Sequence, residues 1–203
     1  MRLVVASNNT EKRREITEIL RIPGLTIVPP EETVFVNVEE NASSFAENAR
    51  KKAEAFASAN ACSALGDDSG LVVYALHGAP GVHSSRYAGK NADDSANNAR
   101  LLAEMQGMDD RRARFVCAVH LTFTGHRAAI TAEGHVDGWI LEDARGTSGF
   151  GYDPLFFCPE LNKTFGQATA TEKASVSHRG RALRLLAEKL AHIEHEGHRE
   201  ERG

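Results

Sequence analysis

Two acidic residues, Asp67 and Asp68, stand side by side in the segment GDDSG, between two apolar runs. Mg²⁺ in proteins commonly takes one or two carboxylates together with the phosphates of a substrate. Adjacent side chains of an extended segment point to opposite faces, so at most one of the two faces a given cleft unless the chain bends. A second acidic pair, Glu39 and Glu40, could reach the same ion. The pattern favours a divalent-cation site, and the alternative is an Asp-Ser-Gly turn.

The segment SNNTEK joins a predicted strand to a predicted helix and comprises Ser7, Asn8, Asn9, Thr10, Glu11 and Lys12. A helix N-terminus offers unpaired backbone amides and a partial positive charge, to which Lys12 adds a full one. The segment is therefore a candidate site for an anion such as phosphate. The alternative is that the asparagines only cap the helix.

A lysine occupies the apolar face of the second predicted helix. Phe45, Ala49, Lys52 and Phe56 form one stripe at helical spacing, so Lys52 should face the core. Its ammonium either extends to an edge of the core or points into a cleft, where carboxylates or phosphate hold it.

Basic side chains also open the final predicted helix, at His178 and Arg179. Cations in a first helical turn oppose the helix dipole, so these two groups are better placed to face the acceptor atoms of a ligand than to lie at the surface. Lys173 precedes them by a few residues and favours the same interpretation.

A glycine-rich loop, GTSGFGYDP, carries Phe150 beside Gly151, Tyr152 and Asp153. An aromatic face with polar edges suits the binding of a nucleobase. Packing of Phe150 into the core is the alternative.

These residues require a framework of interleaved helices and strands, which predicts an α/β fold with a mixed sheet. One helix ends before Pro23-Gly24, one begins after Ser44 in a Ser-x-x-Glu capping box, one spans about 92–105 and one starts near Ser177. The predicted strands are residues 3–6, 25–28, 34–38, 64–66, 71–76, 115–123 and 130–141. We expect one two-lobed domain over residues 1–195, followed by a polar, frayed tail over 196–203.

Composition narrows the possible partners. The 203 residues have a net charge of −4, which argues against a surface for duplex nucleic acid, although the 24 Lys and Arg residues could still concentrate in one cleft. No stretch approaches the ~18 apolar residues of a membrane span, and the short apolar start is not typical of a signal peptide. Three widely spaced cysteines are expected to be reduced thiols of a cytoplasmic protein.

In combination, these motifs resemble those of the inosine triphosphate pyrophosphatase family. The matching segments are SNNTEKRREI, SFAENARKKA, GDDSGLVVYALHGAPGVHSSRYAG, GTSGFGYDPLFF and TEKASVSHRGRAL, and they occur in the family's order from residue 7 to residue 183. The resemblance implies an elongated α/β fold in which a central mixed sheet and two lobes surround an active-site cleft, usually in a homodimer. It implies Mg²⁺-dependent hydrolysis of deaminated purine nucleoside triphosphates (ITP, dITP, XTP and dXTP) to the monophosphate and pyrophosphate, which cleanses the nucleotide pool.

The resemblance also implies roles for individual residues. Asp68 takes the metal and general-base role, a glutamate of the pair Glu39 and Glu40 helps to hold the ion, and Lys52 lies in the active site. The substrate-binding positions are residues 7–12 together with Ser69, Phe150, Gly151, Tyr152, Asp153, Lys173, His178 and Arg179. There are two alternatives. One is a related pyrophosphatase for modified pyrimidine or methylated nucleotides, and the other is a non-catalytic nucleotide sensor.

Overall fold

The computed structural model describes residues 1–125 and 129–200, with the side chains of the last helix described as far as Ile193. The sequence also predicts a turn at residues 124–126, between the predicted strands 115–123 and 130–141. This turn falls partly outside the described range, because His126 is not described. The end of the predicted tail, residues 201–203, lies outside it as well. Within the described residues, no helix is both long and apolar enough to cross a membrane.

Seven strands form one mixed sheet in the order β2-β1-β3-β4-β5-β6-β7. The strands are β1 (Arg2–Ala6), β2 (Thr26–Ile27), β3 (Ser63–Val73), β4 (Arg112–Thr122), β5 (Ile130–Ile140), β6 (Phe156–Cys158) and β7 (Lys163–Thr164). β1 pairs in parallel with β2 and β3, whereas β6 pairs antiparallel with β5 and β7. The predicted α/β class with a mixed sheet is confirmed.

Among the described residues, five α-helices flank this sheet. They are α1 (Thr10–Ile19), α2 (Phe45–Asn60), α3 (Asp94–Glu104), α4 (Ala170–Val176) and α5 (His178–Glu200). The Ser44 hydroxyl caps α2 by accepting a hydrogen bond from the Glu47 backbone N–H, as the capping-box pattern predicts. α4 was not predicted, and α5 continues to Glu200, so residues 196–200 of the predicted tail are helical.

The chain divides into two compact units. The first contains Met1–Asp68, Ala118–Gly134 and the segment from Arg181 onward, and the second contains Ser69–Cys117 and His135–Gly180. The first unit has an apolar cluster around Val4, Ala6 and Phe56. The second has a larger one around Phe115, Phe156 and Phe165, whose rings pack against each other at 4.7–6.0 Å between centroids. Each unit therefore has its own core.

The prediction of two strands flanking Asp67 and Asp68 is wrong. β3 is one continuous strand that passes through both acids, and it ends at Val73 before a short 3₁₀ turn, Tyr74–Leu76. The segment is almost entirely buried, and its pairing with β1 continues through Ala64 to Gly66. Backbone pairing in the sheet therefore holds the acids in an extended strand.

The predicted strand at residues 34–38 is also wrong, because side chains bind its backbone where a neighbouring strand would. The Asn60 amide at the end of α2 accepts from the Val34 N–H (2.7 Å) and donates to the Val34 carbonyl (3.0 Å). Asn8 donates to the Val36 carbonyl. The alternating pattern of the segment reflects its partial burial, with Val34 and Phe35 facing solvent.

Gly66 in β3 lets α2 lie directly against the strand. A Cβ atom at this position would stand 2.0 Å from the Ala49 carbonyl oxygen and 2.8 Å from the Ala53 backbone nitrogen. Both are helix backbone atoms that cannot move independently of α2. The glycine thus fixes the distance between the strand that carries Asp67 and Asp68 and the helix that carries Lys52.

We predict that Gly66→Ala lowers the free energy of unfolding by about 2 kcal/mol or more, because overpacking forces the helix away from the strand. Chemical denaturation measures this loss. Ser58→Ala, at an exposed position of α2, is the matched control and should leave stability within ~0.5 kcal/mol of the wild type. Equal stability of the two variants would contradict the close approach.

Candidate active site

Asp67 and Asp68 project to opposite faces of β3, and each meets a different lysine. The Asp67 carboxylate lies 3.5 Å from the ammonium of Lys12 on α1, and the Asp68 carboxylate lies 3.4 Å from that of Lys52 on α2. Both acids are buried. The alternation expected of an extended strand therefore gives adjacent carboxylates separate cationic partners.

Lys52 lies on the buried face of α2, as its stripe predicts, with 7% of the residue exposed. Its ammonium also lies 3.0 Å from Glu40, so two carboxylates share it. Burial lowers the pKa of Lys52, but the carboxylates of Asp68, Asp67 and Glu40 outweigh burial and raise it above the ordinary value. This arrangement agrees with a cation held by carboxylates rather than one that extends to solvent.

The Asp68 carboxylate has a second partner that sequence reasoning missed. The Asn48 amide, one turn before Lys52 on α2, donates to Asp68 Oδ2 at 3.0 Å, while Lys52 approaches Oδ1. Asn48 also accepts from the Ala42 N–H, two residues after Glu40. Burial raises the pKa of Asp68 above its ordinary value, against the opposing effect of Lys52 and Lys12. Uncharged polar residues on helices are common, so no signal in the sequence singles out Asn48.

The structure distinguishes the two glutamates. Glu40 is half-buried against Lys52, whereas Glu39 is exposed. Burial raises the pKa of Glu40, but Lys52 and Lys12 outweigh it and lower the pKa below the ordinary value. Glu40, and not Glu39, therefore joins Asp68 at the Lys52 ammonium.

The segment before α1 forms a capped helix start. The Asn9 side chain accepts from the Lys12 N–H, and its own N–H donates to the buried Ser7 hydroxyl. Asn8 binds the Val36 carbonyl, and the other two predicted residues of this segment are bound locally: Arg13 donates to the Thr10 hydroxyl, and Glu11 pairs with Arg14. Asn9 thus has the capping role given as the alternative, and Lys12 approaches Asp67 from the same helix start.

In the second unit, Asp153 organises the glycine-rich loop. Its Oδ2 atom accepts from the Lys173 ammonium (2.6 Å) and from the Phe150 N–H (2.9 Å). The Lys173 ammonium lies 4.7 Å from the centroid of the half-buried Phe150 ring. Tyr152 is buried, and its hydroxyl donates to the Ser84 carbonyl. The loop therefore presents one aromatic ring beside a cation and anchors the other in the core.

His178 and Arg179 are both buried at the start of α5. Arg179 donates to the Ser69 hydroxyl at 2.8 Å and lies 5.8 Å from the centroid of the Phe150 ring. His178 stacks on Phe115, with ring centroids 4.7 Å apart. The second unit thus places two buried cations, Lys173 and Arg179, near the half-buried Phe150 ring.

The donor set fits a metal ion whose remaining ligands come from a substrate. Among the described residues, no group of three or more His, Cys, Asp or Glu side chains could hold a metal ion by itself. Asp68 and Glu40 nevertheless bring two carboxylates within 3.4 Å of the same Lys52 ammonium. Mg²⁺ commonly uses one or two carboxylates plus substrate phosphates.

Comparison with known proteins places the chain in a family. A sequence model of the Ham1 family matches residues 3–189. The chain belongs to the Ham1 family. It is 47% identical to a dITP/XTP pyrophosphatase of Desulforamulus reducens, over 94% of this chain and 96% of that protein, and 48% identical to one of Geobacter sulfurreducens, over 93% and 96%. The resemblance predicted from the sequence motifs is confirmed.

Solved structures of this family share the fold. The Staphylococcus aureus Ham1 protein superposes with a TM-score of 0.84 at 39% identity, over 95% of this chain and all of that one. A nucleoside-triphosphatase, or dITP/XTP pyrophosphatase, of Mycobacterium abscessus superposes with a TM-score of 0.72 at 37% identity, over 92% of this chain and 97% of that one.

We predict that Lys52→Met lowers the free energy of unfolding by about 3 kcal/mol at pH 7, because it leaves buried carboxylates without their cation. Without Lys52, the pKa of Asp68 rises further, so the folded state binds more protons than the unfolded state. The difference in the free energy of unfolding between Lys52→Met and the wild type should therefore become smaller as the pH falls towards the ordinary pKa of a carboxyl group.

Urea denaturation at several pH values measures the effect of Lys52→Met. The control is Arg50→Met on the same helix, which removes an exposed pair with Glu54 and should cost less than about 1 kcal/mol at any pH. The double variant Lys52→Met/Asp68→Asn should recover part of the lost stability. A loss of stability in Lys52→Met that is the same at every pH would contradict the proposed charge balance.

Proposed function

We propose that this protein hydrolyses deaminated purine nucleoside triphosphates (ITP, dITP, XTP and dXTP) to the nucleoside monophosphate and pyrophosphate. The observation that carries the proposal is the buried cluster in which Lys52 joins Asp68 to Glu40. Relatives that align over nearly the whole chain are dITP/XTP pyrophosphatases, which supports the same activity here. The role is removal of these nucleotides before their bases enter DNA or RNA.

The polyphosphate is assigned to the cations of the first unit. A transferring phosphoryl group develops negative charge, which fixed cations and amides stabilise without reorganisation. Lys12, Lys52 and the N-terminus of α1 after Ser7-Asn8-Asn9 supply such groups. The Asp68 carboxylate is the candidate base, because a carboxylate whose pKa burial has raised can accept a proton from water.

Mg²⁺ is the proposed cofactor, and Asp68 and Glu40 are the residues that would hold it. When bound, the ion neutralises phosphate charge and makes a bound water easier to ionise. Asn48 donates to one carboxylate oxygen of Asp68, which orients the side chain.

The purine is assigned to the second unit, where Phe150 offers a stacking face and His178 and Arg179 offer donors. Inosine and xanthine carry a carbonyl at C6, which such donors can bond. Adenine carries an amino group there and would leave buried donors unpaired, a mismatch that costs ~1–3 kcal/mol. ITP should therefore be preferred to ATP.

We further propose a homodimer located in the cytoplasm. Tyr74 and Trp139 remain 43% and 44% exposed and line a surface pocket of about 370 Å³ with Arg114 and Asp137. Aromatic residues and arginine are enriched at protein interfaces. A sedimentation mass equal to one chain of 22.1 kDa would contradict the dimer. The cytoplasmic location is supported by three cysteines that form no disulfide.

We predict pyrophosphate release from ITP, dITP and XTP in preference to ATP and GTP, and loss of the reaction with a chelator. Asp68→Asn should lower kcat for ITP by at least about 100-fold, because general-base catalysis contributes that much. Chromatography of the products identifies the bond cleaved.

Glu39→Gln is the matched control for Asp68→Asn, because Glu39 is exposed and lies apart from the Lys52 cluster. It should retain wild-type turnover. Diphosphate plus phosphate as products would contradict the assigned bond. Faster turnover of modified pyrimidine triphosphates would favour the alternative enzyme, and binding without turnover would favour a nucleotide sensor.

A further inference from the structure

Helix α3 holds both backbone polar groups of Gly151. The Gly151 N–H donates to Asp94 Oδ2 at 2.6 Å, and the Asn98 amide donates to the Gly151 carbonyl at 2.9 Å. Asp94 and Asn98 lie four residues apart and therefore on one face of α3. We call this pair of hydrogen bonds the α3 clamp.

The α3 clamp is separate from the capping of the helix. Asp93 is the N-cap and accepts from the Ala96 N–H, so the helix start does not need Asp94 for that role. Asn97 points elsewhere and binds the Ala88 N–H and the Ser85 carbonyl. The hydrogen bonds of Asp94 and Asn98 to the glycine-rich loop are therefore not needed to cap the helix.

Gly151 is a loop residue whose backbone conformation benefits from external support. It has φ +62°, in the left-handed region that glycine enters readily and also leaves readily. It directly follows Phe150, whose N–H is held by Asp153, which in turn is bound to Lys173. The clamp on one side and Asp153 on the other therefore fix the peptide units on both sides of the Phe150 Cα atom.

We propose that Asp94 and Asn98 are positioning residues that set the affinity for the purine base through the orientation of Phe150. The inference rests on the proposed function, which assigns the base to Phe150. The α3 clamp bonds the Gly151 backbone, so it acts on base binding through the orientation of the neighbouring Phe150 ring. Its loss should weaken binding of nucleotides that carry a base and spare the polyphosphate.

The test compares Asp94→Ala and Asn98→Ala with two controls. Asp94→Asn keeps an acceptor for the Gly151 N–H, and Ser95→Ala changes the exposed neighbour on the same helix. We expect KM for ITP to rise about three- to tenfold in the alanine variants, the change that corresponds to losing one ordinary hydrogen bond. In the alanine variants, kcat and the inhibition constant of inorganic pyrophosphate should equal those of the wild type. In the two controls, KM for ITP should be unchanged as well.

Hydrogen exchange provides a readout without turnover. Amides of the peptide that contains Gly151 should exchange faster in both alanine variants than in the controls. Because Asp94 is exposed, Asp94→Ala keeps the test valid even if Asn98→Ala proves unstable. Unchanged exchange together with unchanged KM would overturn the inference.

A double-mutant cycle with Phe150→Leu separates the inference from the proposed function. If the α3 clamp acts through the ring, Asn98→Ala and Asp94→Ala should have no further effect on KM in the Phe150→Leu background. If Phe150→Leu leaves KM for ITP unchanged, the assignment of the base to Phe150 fails, and the inference fails with it. If Phe150→Leu raises KM and the clamp variants do not, only the inference fails.

Discussion

The structure depends on the burial of two adjacent carboxylates in the middle of a sheet. A continuous strand through Asp67 and Asp68 is tolerated because each face supplies a lysine, Lys12 from α1 on one side and Lys52 from α2 on the other. An uncompensated buried charge would be strongly destabilising. The helices must therefore lie close to β3, and Gly66 permits the approach of α2. The same charge balance concentrates the cations and carboxylates to which the proposed function assigns the polyphosphate.

The sequence predicted most of the framework, because apolar periodicity and capping signals are local. It failed where partners distant along the chain decide the outcome. The acids of GDDSG suggest a break between two strands, but the lysines that permit a continuous strand lie on other elements. Residues 34–38 have the pattern of a strand, yet Asn60, 26 residues beyond Val34, takes up its backbone groups. Neither partner can be inferred from spacing alone.

The candidate site divides in the same way. Lys52 could be predicted because it places a charge on an apolar stripe, and Arg179 because it places a cation in the first turn of a helix. Both are buried. Asn48 and the α3 clamp could not be predicted, since uncharged or exposed polar residues on helices are common and their function depends on contacts 20 and more than 50 residues away. The pair Glu39 and Glu40 was ambiguous from the sequence, and the position of Lys52 distinguishes its members. A charge at a helix position that disfavours it can thus be recognised in the sequence. The hydrogen bonds that support these charged groups can be recognised only in the folded structure.

We propose that Asp68, balanced by Lys52, forms a complete metal site only together with the phosphates of a nucleoside triphosphate. Calorimetric titration of a non-hydrolysable ITP analogue with Mg²⁺ or with a chelator tests it directly, in the wild type and in Asp68→Asn. We predict that Mg²⁺ strengthens binding to the wild type at least about tenfold, within the usual range for coupled ligands. In Asp68→Asn the gain from Mg²⁺ should disappear, while metal-free binding is retained. An equal gain from Mg²⁺ in both proteins would contradict the account.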